Sequence, residues 1–82
     1  MNYKKYKITW FDPTGHTGWL SEDELYDFVP EECVIEAYVY SKDKKFVHTF
    51  ASYTTNKETG DTEFGDCNVL PTACIKSIKR IK

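Results

Sequence analysis

WFDPTGHTGWLSEDEL, running from Trp10 to Leu25, joins an alternating run to a capped helix through a turn-rich loop, and its reading organises the rest of the chain. Asp12-Pro13-Thr14-Gly15-His16-Thr17-Gly18 supplies the side-chain acceptors, fixed φ and positive φ that tight turns require. Ser21 stands where an N-cap belongs and Glu24 follows at the capping-box spacing, with Leu20 and Leu25 placed as a hydrophobic staple. Glu22, Asp23 and Glu24 put negative charge in the first turn, where the helix dipole favours it. A helix over about 22–28 is expected, stopping before Pro30, which disfavours helical geometry at Val29. The two indoles, Trp10 and Trp19, are expected to pack as a clasp at the edge of the core.

Outward from this stretch the pattern is that of strands. Tyr6, Ile8 and Trp10 alternate with Lys5, Lys7 and Thr9, the period of a half-buried strand over 3–11. Cys33 to Ser41 is apolar at nearly every position and rich in Val, Ile and Tyr, which predicts a central strand. A charged turn at 41–45 leads to a partner strand over 46–54, and the polar loop 55–61 leads to a fourth over 62–70, bent at Gly65. Pro71-Thr72-Ala73 reads as a tight turn. Ile75, Ile78 and Ile81 fall three apart, so a one-turn 3₁₀ segment is expected before a last strand with Ile78 inward. The fold class is therefore mainly β with one helix between the first two strands. Its five strands form a strongly bent antiparallel sheet or a small, partly open barrel whose last strand pairs with the first.

At 82 residues the chain is expected to be a single domain spanning 1–82. Six Tyr, five Phe and two Trp suit a sheet and bury large areas per residue. No apolar stretch reaches the length of a membrane span and none follows the first lysines as a signal peptide would, so a soluble, cytoplasmic protein without membrane attachment is expected. Cys33, Cys67 and Cys74 are odd in number and irregularly spaced, which predicts reduced thiols and neither disulfides nor zinc knuckles. The net charge of −2 conceals a segregation. Every charged residue from Asp12 to Glu36 is acidic, whereas Lys4, Lys5 and Lys7 cluster at one terminus and Lys76, Lys79, Arg80 and Lys82 at the other. Such a dipolar surface steers charged partners.

Trp10-Phe11-Asp12, Gly18-Trp19-Leu20-Ser21 with Glu24, and Val69-Leu70-Pro71 followed by Ile75 and Ile78 resemble a family of small, mostly uncharacterised proteins of bacteriophages and prophages. The resemblance covers most of the chain. It implies a compact β fold similar to SH3 or Sm-like barrels, a phage origin with the host cytoplasm as compartment, and no established activity.

Catalysis finds little footing. His16 beside Asp12 is the one candidate general base, and Cys33, Cys67 or Cys74 the candidate nucleophiles, yet no motif joins them. A zinc site using His16 or His48 lacks the usual ligand spacings, and Asp12 reads better as a cap on its own turn. Gly15 and Gly18 do not make a phosphate loop, because the helix start that follows is acidic. No catalytic residue, metal or cofactor is assigned. The expected function is non-catalytic: binding a host or phage protein through Glu22, Asp23, Tyr26, Asp27, Glu31 and His16. The alternative is a single-stranded nucleic-acid, RNA-type binder using Tyr3, Lys4, Lys5, Lys7, Lys79 and Arg80, with Tyr6 and Tyr53. Pairing of an uncovered sheet edge with a second copy, a homo-oligomer, stays open.

Overall fold

A computed structural model describes residues 3–82. Alternation of Tyr6, Ile8 and Trp10 builds β1 (Lys5–Asp12), and the capping box starts α1 (Glu22–Asp27). The apolar run becomes the long β2 (Glu31–Lys42), which pairs antiparallel with β1 from Lys5↔Tyr38 to Asp12↔Glu31. There follow β3 (Phe46–Phe50), β4 (Ser52–Thr55), β5 (Thr62–Gly65), β6 (Asn68–Pro71), a 3₁₀ turn (Thr72–Cys74) and β7 (Ile75–Arg80). Five strands form one sheet in the order β6-β3-β2-β1-β7, so the last strand does lie against the first. The short helix lies between the first two strands, as its sequence signals require.

The expected strands over 46–54 and 62–70 are each broken in two. Residues 46–71 nevertheless keep one register from Phe46↔Pro71 through Ser52↔Gly65 to Thr55↔Thr62. They make a single hairpin, kinked at Ala51 on one side and at Asp66 on the other, where φ is 53°. Gly65 eases the close approach at the kink, because a Cβ there would stand 2.6 Å from Ser52 Oγ and make that hydroxyl turn away. The bend foreseen at Gly65 is thus real, but it turns β4–β5 out of the main sheet as a separate two-stranded ribbon.

Both faces of the main sheet carry apolar side chains. On the inner face Ile8, Val47 and Leu70 form the buried cluster, surrounded by Tyr6, Trp10, Ile35, Val39, Ile75 and Ile78. Ile8 lies opposite Ile35 and Val47 opposite Lys42. On a straight β2 those anchors would be about 23 Å apart. Their side chains share one cluster because the sheet curls, helped by a register shift between Val39 and Ser41 and by the small, buried Ala37. Bulges strengthen strand twist in this way. A second shift, between Thr9 and Trp10, sets Trp10 opposite Ile75 while Ile8 stays opposite Ile78. That bulge accounts for the three-residue spacing of Ile75 and Ile78; the 3₁₀ turn falls earlier, at Thr72–Cys74.

The curled sheet does not close, and the small β-barrel expected from strand count is corrected accordingly. No ladder joins the edge strands β6 and β7. β6 has four residues and ends in Pro71, which has no N–H to donate. The next three residues are spent in the 3₁₀ turn, where the Thr72 N–H donates to Lys45 O at 2.9 Å and Thr72 Oγ1 to Asp43 O at 2.8 Å. Closure would need a continuous hydrogen-bonded stagger around the ring.

The β2–β3 turn is held by Asp43, whose Oδ1 accepts from the N–H groups of Lys45 and Phe46, each at 2.8 Å. The Phe46 bond first, then the Lys45 bond, hold this carboxyl below the usual carboxylate range, and nearby His48 adds to the effect. A lowered folded-state pKa stabilises the fold above the unfolded value, and that stability is lost as pH falls through the folded value. Thermal melts taken from neutral pH down through the acid range should show the midpoint falling, and Asp43→Asn should flatten part of that fall. Identical profiles for the two proteins would contradict the assignment.

Candidate interaction site

The acidic residues named from sequence gather on one projecting arm, residues 13–30, that leaves the sheet between the paired ends Asp12 and Glu31. Thr14 Oγ1 closes its neck by donating to Val29 O at 3.5 Å, and the His16 ring meets Phe28 edge-on at 6.1 Å between centroids. Gly18 lets the loop pass this histidine, since a Cβ there would stand 3.1 Å from His16 Nε2. At the tip the capping box is complete. The Glu24 N–H donates to Ser21 Oγ at 3.2 Å, and the Ser21 N–H donates to Glu24 Oε1 at 3.1 Å. The Ser21 N–H first, and then the Ser21 hydroxyl, stabilise the Glu24 carboxylate and lower its pKa.

The helix buries no residue. Trp19 is 99% exposed, Tyr26 87%, Val29 68% and Leu25 62%. The expected clasp between Trp10 and Trp19 is therefore overturned. Trp10 packs on the inner face opposite Ile75, while the loop after Asp12 carries Trp19 away from that surface. Leu25, expected to staple the helix, is likewise left in solvent. An isolated helix of six residues is far too short to hold itself by propensity, so α1 depends on its cap. Ser21→Ala should cost the helix about 1 kcal/mol. Amide protection over 24–28 should disappear while the global unfolding midpoint barely moves, because nothing in α1 contributes to the core. An equal loss in both would show that the arm is packed after all.

Glu22, Asp23, Tyr26 and Asp27 share this exposed tip, His16 lies in the loop and Glu31 at the base. Exposed Trp19, Leu25 and Val29 belong to the same arm, Trp19 and Leu25 in place of the core-edge clasp and staple expected of them; the signal is a helix too short to bury a face. Among the described residues no hydrogen bond joins His16 to Asp12. Cys33, half-buried beside the arm's base, has its thiol pKa raised by desolvation and by the carboxylates of Asp12 and Glu31. A thiol of that kind is a poor nucleophile. Among the described residues no three His, Cys, Asp or Glu side chains converge on a metal position.

The basic residues named from sequence are divided. Lys7 and Lys79 are cross-strand neighbours and Lys5 lies on the same outer face, its Nζ 6.0 Å from the Tyr38 ring. Arg80 pairs with Tyr6 on the opposite face, and Glu36 stands across from Lys7. Tyr3 is spent on packing, against Phe50 at 5.2 Å, Tyr40 at 5.7 Å and Phe64 at 6.1 Å. Lys76 reaches back to Glu32 at 2.7 Å, an exposed pair.

A second feature lies on the outer face, between β3, β6 and the out-turned ribbon. It is a cleft of about 410 Å³ walled by Tyr40, Phe50, Phe64 and Val69, with His48 and Cys67 on its rim. Ser41 Oγ and His48 Nδ1 are hydrogen-bonded at 3.0 Å across the β2–β3 ladder. Among the described residues this is the one hydroxyl–imidazole pair within hydrogen-bonding distance, and it escapes sequence reading because the residues meet only through strand register. Asp43 Oδ1 accepts from turn amides and completes no triad with the pair, and Ser41 does not line the cleft. The pair reads as a cross-strand tie.

No known protein family, curated protein or solved structure matches the chain. The fold and the two surfaces therefore carry the functional reading. Among the described residues no helix is long and apolar enough to cross a membrane.

Proposed function

We propose that this chain is a non-catalytic accessory protein that binds another protein through the acidic arm. The observation that carries the reading is Trp19, exposed over its whole surface on the same arm as exposed Leu25, Tyr26 and Val29, an arm whose helix contributes nothing to the core. Several large apolar side chains left exposed on one short arm point to an interaction surface. Glu22, Asp23 and Asp27 around them select a partner with a basic rim, through favourable encounter and exclusion of acidic surfaces. The resemblance to phage and prophage proteins makes that partner a host or phage protein, met in the host cytoplasm.

Trp and Tyr are the side chains most often found as interface anchors, each costing about 2 kcal/mol or more when removed. A photo-reactive residue at position 26 should crosslink to a polypeptide, and Trp19→Ala should weaken that capture about thirtyfold. The side-by-side Lys5, Lys7 and Lys79 keep single-stranded nucleic acid as a second reading. Tight, steeply salt-sensitive RNA or single-stranded DNA binding, unchanged by Trp19→Ala, would replace the first reading with the second.

A further inference from the structure

We propose that the arm docks into the outer-face cleft of a second copy of this chain, each copy giving its arm to the other in a closed twofold dimer. The inference rests on reading the arm as a protein-binding element and names its partner. Three observations support it.

The first is area. The chain exposes 6764 Å² at 9.6 kDa, where a folded monomer of that mass exposes about 5,100 Å². The excess, about 1,700 Å² per chain, exceeds the ~800 Å² per partner that a standard interface removes. The dimensions agree: the Cα radius of gyration is 17.0 Å, against about 12 Å for a compact chain of this length.

The second is complementarity. The cleft carries no carboxylate among its lining residues. Two residues beyond Val69 along β6, Pro71 pairs with exposed Phe46, and the adjoining β2–β3 turn carries exposed Lys44 and Lys45. An apolar surface free of carboxylates in its lining, with Lys44 and Lys45 on the neighbouring turn, suits Trp19, Leu25 and Tyr26 flanked by Glu22, Asp23 and Asp27.

The third is placement. The arm springs from Glu31 at one end of β2 and the cleft is walled by Tyr40 near the other, about 30 Å along the strand. Tied at its neck by Thr14 and Val29, the arm leaves its own cleft uncovered in a molecule 58 Å long. Two copies laid antiparallel bring each arm to the other's cleft, and a reciprocal contact of this kind closes on itself without growing into a fibre.

Sedimentation of the purified chain from about 10 µM to about 1 mM should show a concentration-dependent species of twice 9.6 kDa, weakened by salt. The arm variant Trp19→Ala/Tyr26→Ala and the cleft variant Val69→Glu both alter exposed side chains, so each should stay folded by circular dichroism. Each alone should associate at least about tenfold more weakly. Their equimolar mixture should regain a dimer of intermediate strength, because one intact arm then meets one intact cleft. A wild-type monomer throughout, or a dimer indifferent to both variants, overturns the inference. If position 26 still crosslinks a different polypeptide, the protein-binding reading survives that failure; if it crosslinks nothing, both fall.

Discussion

Ile8→Ala should cost about 2–5 kcal/mol, the range for deleting a buried aliphatic side chain with only partial collapse of the cavity. Domains of this size are stable by about 4–12 kcal/mol in total, so one truncation removes a large share of the margin. Ile8 is 0% exposed and joins the three strands at the middle of the curl, opposite Ile35 on β2 and Ile78 on β7. It also touches the cluster holding Val47 and Leu70, which lie on the far half of the sheet. Among the described residues only five apolar ones, Ile8, Ala37, Val47, Phe50 and Leu70, are buried. Little neighbouring mass is available to refill the space. Urea unfolding should show a lower midpoint with an unchanged slope, since the same surface is exposed on unfolding. Trp19→Ala, at a fully exposed site, should leave the midpoint in place. A shift for Ile8→Ala below about 1 kcal/mol would mean that the inner face is not the stabilising core.

What sequence made legible was local or periodic. Ser21 and Glu24 meet across three residues, so their box is written in the chain itself. Tyr6, Ile8 and Trp10 reveal an inward face because strand side chains alternate whatever their partners. The features that escaped depend on partners distant in sequence. Nothing between Phe46 and Tyr53 marks Ala51 as a kink; the mark is Gly65, on the other side of the hairpin, and its consequence for Ala51 appears only once the two are in register. Barrel closure failed for a comparable reason, since it depends on whether β6 and β7 meet. Trp19 was misplaced because aromatic character predicts a large area to be covered but does not say which molecule covers it. On the arm, the composition expected of a core edge is instead found on a projection that also carries the acids Glu22, Asp23 and Asp27.

Phe50→Ala should cost about 3–5 kcal/mol and should act on the opposite face. Phe50 is the hub of the outer aromatic group: it stacks on Tyr38 at 5.3 Å and meets Phe64 at 4.7 Å, Tyr3 at 5.2 Å and Tyr53 at 6.3 Å. Aromatic pairs of this kind add about 0.5–1.5 kcal/mol each beyond the area they bury. Two of the four rings, Tyr53 and Phe64, belong to the out-turned β4–β5 ribbon, which is joined to the main sheet through the kink and this packing. Removing Phe50 should therefore release the ribbon before the sheet unfolds. Hydrogen exchange should speed up over 52–65 well below the urea midpoint while amides around Ile8 stay protected, the pattern of a sub-global opening. Ile8→Ala should instead lower protection everywhere together. Because Phe50 and Phe64 also wall the cleft, the same substitution should abolish arm-dependent association at concentrations where the sheet is still folded. Phe50→Leu, which keeps most of the apolar volume but no ring, should retain the fold and lose part of the association. Uniform loss of protection in Phe50→Ala would show that the ribbon and the sheet unfold as one unit, and that the cleft has no stability of its own to lose.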